Sequence, residues 1–468
     1  MNWVKALENY LMSSTTRLSL QSSSSSCTGR TVFTVLVCLS TLSKLAFAGS
    51  TAGLSAQTNN TGTPAEAGII TLEAAIRAAT ESSPRLKVAE SAMRASKGER
   101  LQAGMWANPE VSVNIDNVGG KGPYRGFDSA EITYGLSQVI EIGGKRAARM
   151  DLAERGVALA SIDYVSARLD LIRDVQLAYA EAISAQEQVK ITQEQQSLAK
   201  EVLGVVSQRV GAAREPVIQK SKAEVTFSSS TIARDKAERA LAAAKRVLAA
   251  LCGGSNETFE VDAAAFFAIA DPAQIVGARD AWRKTPDFTR SDIEIAKSRA
   301  ALNLEEANAV PDPKVSAGIR DFRESENRAY AFVFGVALPL PVLNRNQGGI
   351  EKARQEVNRA ENTKAAAAMS LGAELTRAQT DLETSYYQAV TLKDSILPVA
   401  DRAFKQAREG YGSGKFSYLE VLDAQRTLYD VRSEYHNALR DYHRSRAQVE
   451  RISATYLAPS KHSEEIHE

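Results

Sequence analysis

The run from Lys145 to Gln208 constrains this chain more than any other feature, because it holds no proline and only two internal glycines, Gly156 and Gly204. Such a run reads as one helix, and at 1.5 Å per residue it would reach about 95 Å. An ordinary globular core is shorter than that. Ile162, Val165, Leu169, Ile172, Val175, Tyr179 and Ile183 step by three or four, which lays an apolar stripe along one face. A second helix must cover that stripe. A turn at Gly211 and a return helix from about Pro216 to Leu251 supply one. Composition agrees: charged residues make up 24% and aromatics 6% of the 468 residues, the balance of long helices rather than of a compact mixed core.

The plan occurs twice. Asn108-Pro109-Glu110-Val111-Ser112 aligns with Asp312-Pro313-Lys314-Val315-Ser316 at an offset of 204, and Pro84 with Pro286 at 202. Arg209 to Arg214 lies over Gly410 to Lys415 at 201. Each repeat opens with a helix, Leu72 to about Ala103 and about Phe288 to Ala309. An Asn-Pro or Asp-Pro step ends it, since the residue before proline disfavours the α region. Two alternating segments follow: Pro109–Asn117 and Ala130–Ile140 in the first repeat, Pro313–Arg323 and Ala329–Leu340 in the second. The second long helix is expected from Gly349 to Glu409, with a kink at Pro398. After a turn at Gly412–Gly414 its return helix runs from Tyr418 to about Ser453, with Leu428, Val431, Tyr435, Leu439 and Tyr442 as its seam.

The alternating segments read as strands. In YAFVFGVALPLP, the positions Tyr330, Phe332, Phe334, Val336, Leu338 and Leu340 share one face, and Ala331, Val333, Gly335 and Ala337 the other. In the first repeat Ile132, Tyr134 and Leu136 form the matching apolar row. Four short amphipathic strands alone fit an ordinary soluble sheet packed on helices. Each segment has the 9–12-residue length that crosses a tilted bilayer, and three features favour membrane staves instead: an export signal, the duplication and the lack of any other sizeable apolar core. Four strands cannot close a barrel, and open edges are not tolerated in hydrocarbon. Several chains would have to share one.

The beginning of the chain reads as an export signal. Thr31 to Ser43 is an apolar core after Arg30, leading to Ala46-Phe47-Ala48 before Gly49. We therefore expect a signal peptide over 1–48, a periplasmic segment over 49–67, repeat one over 68–257, a connecting segment over 258–276, repeat two over 277–457 and a tail over 458–468. Removal of the signal would leave Cys252 as the single thiol, a small residue near a helix end. A net charge of +1 with no basic stripe argues against nucleic acid. No nucleophile–base pair, metal cluster or nucleotide loop stands out, so neither an enzyme nor a cofactor is expected. The stretch IEIGGKR lacks the spacing of a phosphate loop and reads as a strand-to-helix joint bent at Gly143-Gly144. His436 and His443 lie seven apart, too far to chelate one ion together, and His462 and His467 sit in the tail.

Three motifs carry a resemblance: Leu136 to Arg146 (LSQVIEIGGKR), its partner Gly335 to Pro341 (GVALPLP), and Gly410 to Gln425 (GYGSGKFSYLEVLDAQ). Over roughly residues 68 to 457 the chain resembles the TolC-like outer membrane efflux proteins, and more narrowly their cobalt–zinc–cadmium resistance (CzcC) branch. The resemblance implies a homotrimer with a twelve-stranded β-barrel in the outer membrane and a periplasmic tunnel of α-helical hairpins. It implies a periplasmic membrane-fusion adaptor and an inner-membrane pump of the resistance–nodulation–division (RND) type as partners, with heavy-metal cations as cargo. It places adaptor contacts at the tip turns, Ala212, Ala213 and Arg214 and Ser413, Gly414 and Lys415. It places the gate at Tyr411, Glu420 and Asp423. Ala213 stands where a glycine is expected, Phe416 replaces a basic residue of the gate, and Gln219 stands where some relatives carry an acid. A drug, dye or secreted-protein channel is the alternative within the family, and a periplasmic coiled-coil adaptor the alternative outside it.

Overall fold

The computed structural model describes residues 68–254, 259–275, 281–323 and 328–457. The expected signal peptide, the segment 49–67 and the tail with His462 and His467 lie outside the described residues. In chain order the first half holds β1 (Ile69–Ile70), α1 (Leu72–Ser82), α2 (Pro84–Ala103), β2 (Glu110–Asp116), β3 (Glu131–Val139), α3 (Lys145–Gly211) and α4 (Val217–Leu251). The second half holds β4 (Glu260–Val261), α5 (Ala264–Phe267), α6 (Pro272–Ile275), α7 (Pro286–Asn308), β5 (Lys314–Arg323), β6 (Arg328–Ala337), α8 (Gln347–Thr391), α9 (Leu397–Gly412) and α10 (Tyr418–Ile452).

The uninterrupted helix is real: α3 runs 67 residues, about 100 Å. Leu169, Ile172, Val175, Tyr179 and Ile183 of its stripe are buried, as are Leu428, Val431, Tyr435, Leu439 and Tyr442 of α10. Both stripes meet in one core, so the two repeats are not separate domains. Each such side chain contributes about 1.5–3 kcal/mol by leaving water. Two expectations need correction. The helix expected over Leu72–Ala103 is two helices, because Ser83 takes ψ 120° ahead of Pro84, which starts α2. Strand β6 stops at Ala337 rather than Leu340, since Pro339 and Pro341 have no N–H to give a ladder. The kink expected at Pro398 takes the form of a π-helical turn, Leu392–Ile396, between α8 and α9. Proline cannot bond the carbonyl four residues back, and the widened turn accommodates that loss.

At mid-height the link between repeats straps the helices. β1 pairs in parallel with β4. The Tyr179 hydroxyl lies 3.0 Å from the carbonyls of both Ile70 and Asp262. Burial pushes this phenol up to about 12, so it stays a donor. Tyr442 donates to the Ala270 carbonyl at 2.8 Å and accepts from the Ala270 N–H at 3.0 Å. Arg451 of α10 ties three helices together, reaching Asp170 of α3 at 2.7 Å and Asp287 of α7 at 2.6 Å.

The four long strands form one antiparallel sheet in the order β2-β3-β5-β6. All four helix connections leave from one end of it. The turn 117–130, the end of β5 and the start of β6 lie at the other.

Candidate functional site

Register decides what the sheet presents. Cross-strand partners share a face, so Val113, Tyr134, Ile319 and Phe332 form one row and Val111, Leu136, Ala317 and Phe334 the next. Phe332 and Phe334 are 76% and 78% exposed, and Tyr330 and Val336 are similarly open. Aromatic side chains this bare on a regular strand have no protein cover to explain them. Of the residues expected on this face, Ile132 alone is buried, at 7% exposure, in register with Asp321. The opposite face is small and polar: Ser112, Gly135 and Gly318 share a row, flanked by the ion pairs Glu110–Lys314 and Glu131–Arg320. A Cβ on Gly318 would lie 2.6 Å from the Tyr134 carbonyl oxygen, so only glycine fits there. From Leu340 to Tyr330 the apolar row spans about 24 Å when tilted near 45°, close to the lipid band of a membrane barrel. β2 and β6 form the edges of the sheet, and an open edge in such a band demands a partner strand.

The joint below the sheet is built from the IEIGGKR stretch. Gly143 and Gly144 take φ of 73° and 75°, left-handed values that favour glycine. Gly143 also lies so close to Val310 that a Cβ would sit 2.8 Å from the valine Cβ. Lys145, nearly buried, pairs with Asp312 at 2.7 Å, and Asp312 accepts from the Ile142 N–H at 3.0 Å. Arg149 grips Glu141 with two hydrogen bonds, 2.6 and 2.9 Å. These contacts lock the first repeat's strand exit to the second repeat's Asp-Pro step, a partnership the sequence reading did not include.

At the far end α3 turns into α4 and α9 into α10. Ala213 has φ 58° and its counterpart Gly414 φ 76°, so the two tip turns share one backbone shape and Ala213 carries strain there. Ala213→Gly should stabilise the first tip by roughly 0.5–1 kcal/mol. Amide exchange would show this as added protection of the residues beside the turn. Lys415 and Phe416 both donate to the Gly410 carbonyl, and the Phe416 ring covers Gly410 so closely that a Cβ there would clash. Ala212, Arg214, Ser413 and Lys415 are exposed.

The expected gate residues occupy different settings within one protomer. Tyr411 is buried against Tyr418, and the Arg209 guanidinium sits 4.2 Å from its ring centre while donating to its carbonyl at 3.1 Å. Arg209 closes α3, so this contact joins the two hairpins at their tips. Glu420 is exposed and caps α10: its carboxylate accepts from the Ser417 N–H at 2.6 Å while Ser417 Oγ accepts from the Glu420 N–H. Asp423 is exposed one turn on. Sequence reasoning missed Arg209, although the repeat register lays it over Gly410. His443 hydrogen-bonds the Phe266 carbonyl at 2.8 Å, and burial lowers the pKa of both His443 and His436. Both side chains are half-buried. Among the described residues no group of three or more His, Cys, Asp or Glu could hold a metal ion.

The chain thus presents an open-edged sheet with one bare apolar face, carried on paired helical hairpins that reach far to one side. The outer membrane efflux protein model matches residues 75–254 and again 278–455, and the chain belongs to that family. It is 31% identical over 399 residues to the cobalt-zinc-cadmium resistance protein CzcC of Cupriavidus metallidurans, covering 82% of this chain and 90% of that protein. It is 26% identical over 275 residues to the nickel-cobalt-cadmium resistance protein NccC of Alcaligenes xylosoxydans xylosoxydans, covering 58% of this chain and 61% of that one. A crystal structure of CusC superposes with a TM-score of 0.70 at 16% identity, covering 82% of this chain and 91% of CusC. The fold is thus TolC-like, mainly helical with a β-sheet set across one end.

Proposed function

We propose that this chain is the outer membrane channel of a tripartite efflux system that exports divalent heavy-metal cations. The exposed Phe332–Phe334 face carries the membrane part of this reading. The metal part rests on the relatives, whose names record resistance to cobalt, zinc, cadmium and nickel. Three copies would close a twelve-stranded barrel, pairing β6 of each with β2 of the next. The tip turns at Ala213 and Gly414 would meet a periplasmic adaptor, and Tyr411, Glu420 and Asp423 of three chains would surround the aperture. Domain boundaries at 48, 67, 257, 276 and 457 belong to the same proposal. The channel is a passive conduit without catalysis, and the energy comes from an inner-membrane RND pump. A strain deleted for this gene should become sensitive to one or a few of zinc, cobalt, cadmium and nickel, while tolerance to dyes and detergents stays normal. Sensitivity to dyes and detergents alone would keep the channel and remove its metal cargo.

A further inference from the structure

The apolar face ends abruptly at its hairpin end. Beyond Tyr330 the same row closes with Asp321, Arg323 and Arg328, and register sets Arg323 directly opposite Arg328. A like-charge cross-strand pair destabilises a sheet. Among the described residues one carboxylate stands near both: Asp321 Oδ2 is 3.7 Å from Arg323 Nε and 3.8 Å from Arg328 Nη2, beyond hydrogen-bond reach. The Asp321 side chain is only 9% exposed, and its Oδ1 has no hydrogen-bond partner. The buried Nε of Arg323 has none either. Arg328 remains 57% exposed. Elsewhere on the sheet Lys314 and Arg320 are matched to acids at 2.5 and 3.0 Å, and both lie on the opposite face. Two guanidinium forks therefore converge on the outer face with their donors unspent.

The order of rows says what they meet. Phe334 and Phe332 come first, then Tyr330 with its hydroxyl, then the arginines. Hydrocarbon, interface and charged headgroup follow one another in the same order in a bilayer. A phosphate accepts paired hydrogen bonds from a guanidinium fork. Placed over Arg323 and Arg328, it would also screen their mutual repulsion.

We propose that Arg323 and Arg328, held from beneath by Asp321, bind a phosphorylated lipid headgroup of the leaflet that faces away from the helices. The proposal rests on the barrel reading given above. Its test uses the full chain extracted from outer membranes in mild detergent, with bisphosphorylated lipid A as probe and native mass spectrometry as readout. Wild type should retain the lipid. Arg323→Gln with Arg328→Gln should weaken retention roughly 25-fold, about fivefold per arginine removed. Lysine at both positions keeps the charge, loses the fork and should fall between. Arg125→Gln, in the neighbouring hairpin turn, should change nothing. Equal retention by wild type and the double glutamine variant, in protein that assembles normally, overturns the site and leaves the barrel standing. So does retention of a phosphate-free diacylglycerol as tight as that of lipid A. Wild type that never reaches the membrane as an oligomer overturns the barrel reading, and this proposal with it.

Discussion

Replacing Phe332 and Phe334 together with arginine should abolish assembly in the outer membrane. Both side chains are more than three-quarters exposed on the bare apolar row. An arginine near the midplane of a barrel wall costs roughly 2–4 kcal/mol. Two per chain cost about 4–8 kcal/mol, comparable to the whole stability of about 5–15 kcal/mol that most folded proteins have. Membrane fractionation and unheated gel electrophoresis would report the loss of oligomer. Val333→Ser, on the small-residue face between them, should assemble normally. Normal oligomer levels in the double arginine variant would mean that this face does not meet lipid.

Arg451→Met should be the most damaging single change in the helical part, costing about 3–5 kcal/mol as expected when one partner of a buried ion pair is removed. The Arg451 side chain is 9% exposed and serves Asp170 and Asp287 at once. Burial alone would push the Asp287 carboxyl up. Hydrogen bonds and charge from Arg451, the Ser166 hydroxyl and the Arg290 charge outweigh it and hold the carboxyl below the usual range. A depressed carboxyl adds stability that is present above its unfolded value, near pH 3.9, and is lost as pH falls through the folded value. Thermal unfolding should therefore separate wild type from Arg451→Met widely at pH 7 and much less near pH 3. Adding Asp287→Asn to the variant should recover part of the loss, because the stranded charge is gone. An equal gap at both pH values would assign the damage to packing instead.

Periodicity made the long elements legible. Five stripe residues on α3 and five on α10 marked buried faces, although α3 also buries Leu171, Ala178, Ala180 and Ala182 on its other sides. Alternation likewise separated Phe332 and Phe334 from Val333. What stayed hidden were contacts between residues far apart in the chain. Nothing local in Lys145 announces Asp312, and nothing in Arg209 announces the Tyr411 ring. Glu420 shows the converse difficulty. Its position after Ser417 fits a capping box as well as a gate, and the cap is what one protomer displays. The Ser83-Pro84 break was available from proline chemistry, yet the strong helical pattern on both sides concealed it.

The π-helical turn has a consequence for how the second hairpin is spelled. Buried positions on α8 fall at Leu375, Ala378, Leu382, Ser385 and Ala389, followed by Leu392 in the turn. Continued at the same seven-residue spacing, the stripe would pass through Ile396, Val399 and Ala403, then Gln406 and Gly410. Instead α9 buries Ala400, Phe404, Ala407 and Tyr411, each one place later, with Gly410 buried beside Tyr411 at the tip, while Val399 is 55% exposed. The turn acts as a frameshift in the register of the seam. It takes up one supernumerary residue, so that two stretches written in different reading frames lie against one continuous α10. Evolution can therefore lengthen or shorten this helix by single residues without rewriting the tip, provided the excess is stored at that one place.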